Sequence, residues 1–140
     1  GVLDPDVGLV GDSWLGRGSI RTEDGRAHPD MQLNVMSSRV VDLVAGGVRD
    51  RWPLAGDQLF VDLDLSATSL PAGTRLGIGG AVIEVTNQPH RGCAKFARRF
   101  GPDALRLVNS DVGRALNLRG VCARVVAGGV VRPGDLVRRV

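Results

Sequence analysis

The chain has 140 residues, with 43% hydrophobic and 24% charged side chains and a formal charge of +3. That length supports one core, burying roughly 68–70% of the surface of the unfolded chain, and no apolar run reaches the length of a membrane-spanning helix. Two cysteines are too few for a secreted disulfide framework, and 4% aromatic residues with no Tyr supply no stacking platform, so a cytoplasmic protein with no nucleic-acid and no membrane partner is expected.

Twenty glycines in 140 residues are about twice the usual share of roughly 7% and announce many tight turns. Residues 1–29 read as mostly loop, with a turn at "EDGR" (Glu23 to Arg26). The chain begins "GVLDPD" without Met, which leaves room for a missing N-terminal strand. "MQLNV" (Met31 to Val35) alternates as a strand does. "SSRVVDLVAGG" follows as a short helix, capped by Ser37 or Ser38 and stopped at Gly46/Gly47. "DQLFVDLDL" (Asp57 to Leu65) alternates again, with Leu59, Val61, Leu63 and Leu65 on one face and Asp62 and Asp64 on the solvated one.

Arg75–Ile78 and Ala81–Thr86, joined by Gly79/Gly80, form a predicted β-hairpin. The period then changes. Ala94, Phe96, Ala97 and Phe100 suit a short helix, and "PDALRLVNSDVGRALNL" suits one or two more, with Pro102 in a first turn and Ser110 as a cap. "RGVCARVVAGGVVRPGDLVRRV" returns to strand, with turns at Gly128/Gly129 and "RPGD". The pattern gives a mostly β chain with short helices (α+β), a closed or strongly curved sheet, and one domain over residues 1–140.

The chemistry centres on "NQPHRGCAKFARRFG" (residues 87 to 101), within a stretch that has no carboxylate between Glu84 and Asp103. Cysteine reacts, and binds soft metals, as the thiolate, and nearby cations or a helix N-terminus lower its pKa from about 8.5. Arg91, Lys95, Arg98 and Arg99 surround Cys93, and a helix starting near Ala94 aims unpaired N–H groups at it. Such groups also bind anions, so a soft sulfur beside an anion-binding surface suits a metal carried on a phosphorylated organic cofactor. Local physics leaves a second reading open: Cys93 as a small core residue under a solvated basic helix face.

Zinc is set aside. His90, Cys93, Cys122 and His28 make four ligands on paper, but there is no CxxC pair. Both histidines read as surface residues, and Cys122, in "GVCARV", as a small strand hydrophobe. Two thiols are preferred to a Cys93–Cys122 disulfide. Gly77 to Gly80 ("GIGG") is a turn and lacks dinucleotide-binding spacing. His90 is the sole nearby base that a covalent mechanism could use.

"LPAGTRLGIGGAVIEVTNQPHRGCAKF", followed after helices by "LRGVCARVVAGGVVRPGDLV", resembles the MOSC domain, the module at the C-terminus of molybdenum cofactor sulfurases that also occurs in stand-alone bacterial proteins. "MQLNVMS", "AGDQLFVDLDLS" and "GLVGD" (Gly8 to Asp12) resemble its earlier segments, although Trp14 stands where many relatives have a histidine and the "GENL"-type segment is replaced. The resemblance implies a MOSC-type β-barrel. It also implies a role for Cys93, as a persulfide sulfur carrier or as a ligand to molybdenum in the molybdenum cofactor (molybdopterin), and so a sulfur-transfer or molybdenum-dependent reductase activity. Arg91, Lys95, Arg98 and Arg119 are then expected to hold the anionic part of the cofactor or substrate, with a redox or sulfur-donor protein as partner. The alternative is a noncatalytic small-ligand or protein-binding barrel without molybdenum.

Overall fold

The computed structural model describes residues Gly1–Val140. In chain order the strands and helices are β1 (Val2–Asp4), β2 (Gly8–Leu9), β3 (Leu33–Ser37), α1 (Ser38–Val44), β4 (Leu59–Val61), β5 (Arg75–Ile78), β6 (Ala81–Val85), α2 (Ala94–Phe100), α3 (Pro102–Asn109), α4 (Asp111–Ala115), β7 (Val121–Ala127), β8 (Gly129–Val130) and β9 (Val137–Arg139), with 3-10 turns at Pro29–Met31 and Arg49–Ala55. The chain falls into two compact units: Gly1–Leu33 with Ala72–Gln88 and Cys122–Val140, and Asn34–Pro71 with Pro89–Val121.

The first unit is built on antiparallel pairing. β1 pairs with both β2 and β8, while β6 pairs with β5 and β7, and β5 also with β9. The predicted hairpin forms with Ile78 opposite Ala81. Its turn needs glycine at position 79, where φ is +54° and a Cβ would lie 2.7 Å from the carbonyl oxygen of Val130. Leu3, Leu76, Ile83, Cys122, Ala123 and Val125 are buried here. Buried Gln32 satisfies backbone groups at both ends of its amide, donating to the carbonyl of Pro5 at 2.7 Å and accepting from the N–H of Val125 at 2.7 Å.

In the second unit β3 and β4 are parallel, Val35 opposite Leu59 and Ser37 opposite Val61, and α1 lies on the crossover between them, as parallel strands require. α1 stops where Gly46 and Gly47 take φ of +66° and +79°. The core is Met36, Val41, Ala55, Phe96 and Val108, with Trp52, Phe60 and Phe100 packed on it. Pro102 opens α3 after Gly101 (φ +96°), and the hydroxyl of Ser110 caps α4 by accepting from the N–H of Gly113 at 3.0 Å.

Several expected boundaries move. The strand expected from Met31 begins at Leu33, because Pro29–Met31 is a 3-10 turn whose N-cap, His28, accepts from the N–H of Asp30. The strand expected from Asp57 to Leu65 shrinks to β4. The carboxylate of Asp64 is drawn into a turn, accepting from the N–H of Ser66 at 2.9 Å and the hydroxyl of Ser69 at 2.9 Å. Residues 1–29 carry two short strands between turns, and Gly129 belongs to β8 rather than to a turn.

Candidate functional site at the start of helix α2

Cys93 is the N-cap residue of α2, extended at φ −125°, ψ −178°. Its position is set from α3. The carboxamide of Asn109 accepts from the N–H of Gly92 and donates to the carbonyl of Gly92, each at 3.0 Å. Position 92 has no room for a side chain, since a Cβ there would come within 2.7 Å of Leu105 and 2.8 Å of Val108. The loop is therefore pressed onto α3 just before the thiol.

The sulfur is exposed. The backbone N–H of Phe96 holds its pKa below the ordinary thiol value against the opposing effect of burial, and the N–H of Lys95 and the charges of Arg119 and Lys95 lower it further. No hydrogen bond of strict capping geometry is formed by the side chain, so the stabilisation is the electrostatic pull of amides at a helix start. The reading of Cys93 as an enclosed core residue is overturned by its exposure. Cys122 is the buried thiol, fully enclosed in β7.

The expected cation set divides. Arg91, Lys95 and Arg98 are exposed. Arg119 is buried, at 8% exposure, and most of its guanidinium is committed: Nη1 to Asp57 Oδ1 at 2.7 Å, Nη2 to the carbonyl of Ala55 at 3.0 Å, and its Cζ 5.1 Å from the ring centroid of Phe96. Asp57 has a fully buried side chain, and sequence reasoning missed it. The available signal was an acid inside the apolar "PLAGDQLF" segment, where an unpaired charge is costly and a buried cation is implied.

His90 also departs from expectation. Its side chain is only 13% exposed, with Nε2 3.4 Å from Asp57 Oδ2. Asp57 Oδ2, His90 Nε2 and Arg119 Nε are all buried without a hydrogen-bond partner. A cavity of about 200 Å³ opens beside them, lined in part by His90, Arg91, Arg114, Asn117 and Arg119. Arg114 and Asn117 were not anticipated; Lys95, Arg98 and Cys93 do not line it. His28 and Cys122 belong to the first unit and His90 and Cys93 to the second, and no group of three or more His, Cys, Asp or Glu side chains is placed to hold a metal ion. Trp14 is buried and donates from its indole to the carbonyl of His28 at 3.2 Å.

Comparison with known proteins supplies the family. The MOSC domain profile matches residues 22–138. Among solved structures, YiiM from Geobacillus stearothermophilus is similar at 22% identity and TM-score 0.60, with 79% of this chain and 55% of that chain covered. YiiM from Escherichia coli is similar at 23% identity and TM-score 0.57, covering 84% and 57%. The YuaD protein from Bacillus subtilis is similar at 24% and 0.63, covering 97% and 81%. The chain thus spans little more than half the length of the two YiiM proteins, and at these identities the likeness establishes fold alone. No curated protein matches in sequence. The fold is the MOSC-type combination of β-strands and short helices that the resemblance implied, and the chain belongs to the MOSC domain family.

Proposed function

We propose that Cys93 works as an exposed soft nucleophile whose thiolate carries sulfur as a persulfide, in a reducing, cytoplasmic setting. One observation carries this reading: the sulfur is exposed at the start of α2, where two backbone amides and the charges of Arg119 and Lys95 favour the thiolate. In the transfer step the thiolate attacks the outer sulfur of a donor persulfide. A new S–S bond forms on Cys93 as the S–S bond of the donor breaks, and the electron pair leaves on the donor thiolate, so no external oxidant is needed.

The same sulfur suits the molybdenum of a pterin cofactor. As a thiolate Cys93 is a soft donor, and Arg91, Lys95 and Arg98 are exposed cations on the same stretch for a phosphate. When bound, the metal would supply two-electron redox chemistry. The protein's part would be one thiolate ligand and a positive surface, since the 200 Å³ cavity is not lined by Cys93.

The test combines three measurements: alkylation of Cys93 against pH, persulfide labelling after exposure to a sulfane-sulfur donor, and molybdenum analysis of protein made with the metal supplied. A reactivity midpoint below that of an ordinary thiol, with label or metal lost in Cys93→Ser, supports the proposal. An inert thiol with neither label nor metal overturns it. A second reading, a noncatalytic ligand-binding module, is favoured by the use of Arg119 on Asp57 and by a cavity that Cys93 does not line; Cys93→Ser with unchanged function and stability would select it.

A further inference from the structure

We propose that the cavity beside His90 and Arg119 is a binding site for a small dianionic oxyanion, separate from the chemistry of Cys93. One lining residue carries an unpartnered donor: Arg119 is nine-tenths buried, Nη1 and Nη2 are taken by Asp57 and Ala55, and Nε is left without a partner. An oxygen accepting from that N–H would satisfy a buried group that is otherwise an exception to the rule that such groups are paired. His90 Nε2 is a second buried nitrogen in the same condition.

The remaining lining selects charge. Arg91 and Arg114 are exposed, line the cavity, and have no carboxylate within salt-bridge distance. Three guanidiniums therefore border a space whose associated carboxylate, Asp57, is already paired with Arg119 at 2.7 Å. The guanidinium fork matches oxyanion geometry and can bind it bidentately. Size sets the upper limit. About 200 Å³ is the room of roughly six or seven waters at about 30 Å³ each, which suits an inorganic oxyanion and falls short of the roughly 300–1,000 Å³ that encloses a drug-sized ligand. Of the cations expected around the thiol, Arg91 and Arg119 line the cavity and Lys95 and Arg98 do not, so the site shares only half of that set and adds Arg114.

Calorimetric titration of the full chain with inorganic phosphate and with sulfate, against chloride at matched ionic strength, tests the site. One saturable site is expected. It should weaken at least about tenfold in Arg91→Gln/Arg114→Gln, whose positions are exposed and whose thermal midpoint verifies folding, and it should be unchanged in Lys95→Gln/Arg98→Gln and in Cys93→Ser. Absence of saturable binding overturns the proposal. So does equal weakening by the Lys95/Arg98 pair, which would mark a diffuse basic field, or loss of binding in Cys93→Ser, which would place the anion at the thiol. Because Cys93→Ser is expected to abolish sulfur carriage and leave the anion bound, failure of either proposal is distinguishable from failure of the other.

Discussion

Asn109 grips Gly92 through both ends of its carboxamide, at 3.0 Å each, one residue before Cys93. This ties the start of α2 to the end of α3. Asn109→Ala removes both bonds and leaves two backbone groups of a half-buried glycine to water, a cost of about 1–3 kcal/mol. Gly92→Ala acts from the other side by driving a methyl into Leu105 and Val108, an overpacking cost of about 1–3 kcal/mol. Both variants are expected to lower the denaturation midpoint and move the alkylation midpoint of Cys93 up, since a loosened loop no longer holds the sulfur against the amides of Phe96 and Lys95. A stability loss with unchanged alkylation would mean that the clamp supports packing alone.

The charge state of Cys93 couples to folding with a definite sign. Its pKa is lowered in the folded chain, so the folded state releases the proton at lower pH than the unfolded state. The resulting stabilisation is fully present above the unfolded thiol pKa, about 8.5, and is lost as pH falls through the folded value. Wild type minus Cys93→Ser, followed by denaturant unfolding between neutral and alkaline pH, is expected to show a stability difference that grows as pH rises through that window and then levels. Lys95→Glu removes a lowering charge and adds a raising one, so its alkylation midpoint should move up. A flat difference curve would contradict the assignment.

Period and punctuation made much of this structure legible. The Gly79/Gly80 hairpin, the stop at Gly46/Gly47, Pro102 at the head of α3 and Ser110 as the cap of α4 depend on local backbone chemistry that a sequence displays. Cys93 at a helix start was legible for the same reason. Asp57, His90 and Arg119 were not, because their meeting joins positions 57, 90 and 119 through tertiary packing. Alternation made Asp57 the first residue of a strand, whereas the buried guanidinium takes its carboxylate and β4 begins only at Leu59. Arg119 was expected to hold the anionic part of a cofactor or substrate; the anion paired with it is Asp57 of the chain itself.

Glu84 gives a second pH dependence, of carboxylate type. Arg124 at 2.7 Å and Arg75 at 3.2 Å lower its pKa, Arg124 contributing more. The depressed value means stabilisation that is present above the unfolded pKa, about 4.3, and lost as pH falls through the folded one. Glu84→Gln should therefore lower stability near neutrality, by an amount that solvent screening of the partly exposed pair keeps small, and the difference from wild type should close as pH falls, flattening the acid limb of the profile. An unchanged acid limb would show that the hairpin gains nothing from the pair.

The Asp57–Arg119 pair makes the sharpest energetic prediction. With Asp57 fully buried and Arg119 nearly so, removing one partner strands a charge in the interior. Asp57→Leu and Arg119→Met are each expected to cost about 3–5 kcal/mol, whereas replacing both by apolar groups recovers much of that loss. A double-mutant cycle by urea unfolding reads the coupling directly. The two losses adding without recovery would mean that water reaches the pair after substitution and that its burial contributes little. A strong coupling has a consequence for the cavity: with Asp57 fixing Nη1 and Ala55 fixing Nη2, the Nε–H of Arg119 is held in place rather than folded back on the chain, and the same cycle repeated at saturating sulfate should show the Arg119→Met step becoming more costly than the Asp57→Leu step.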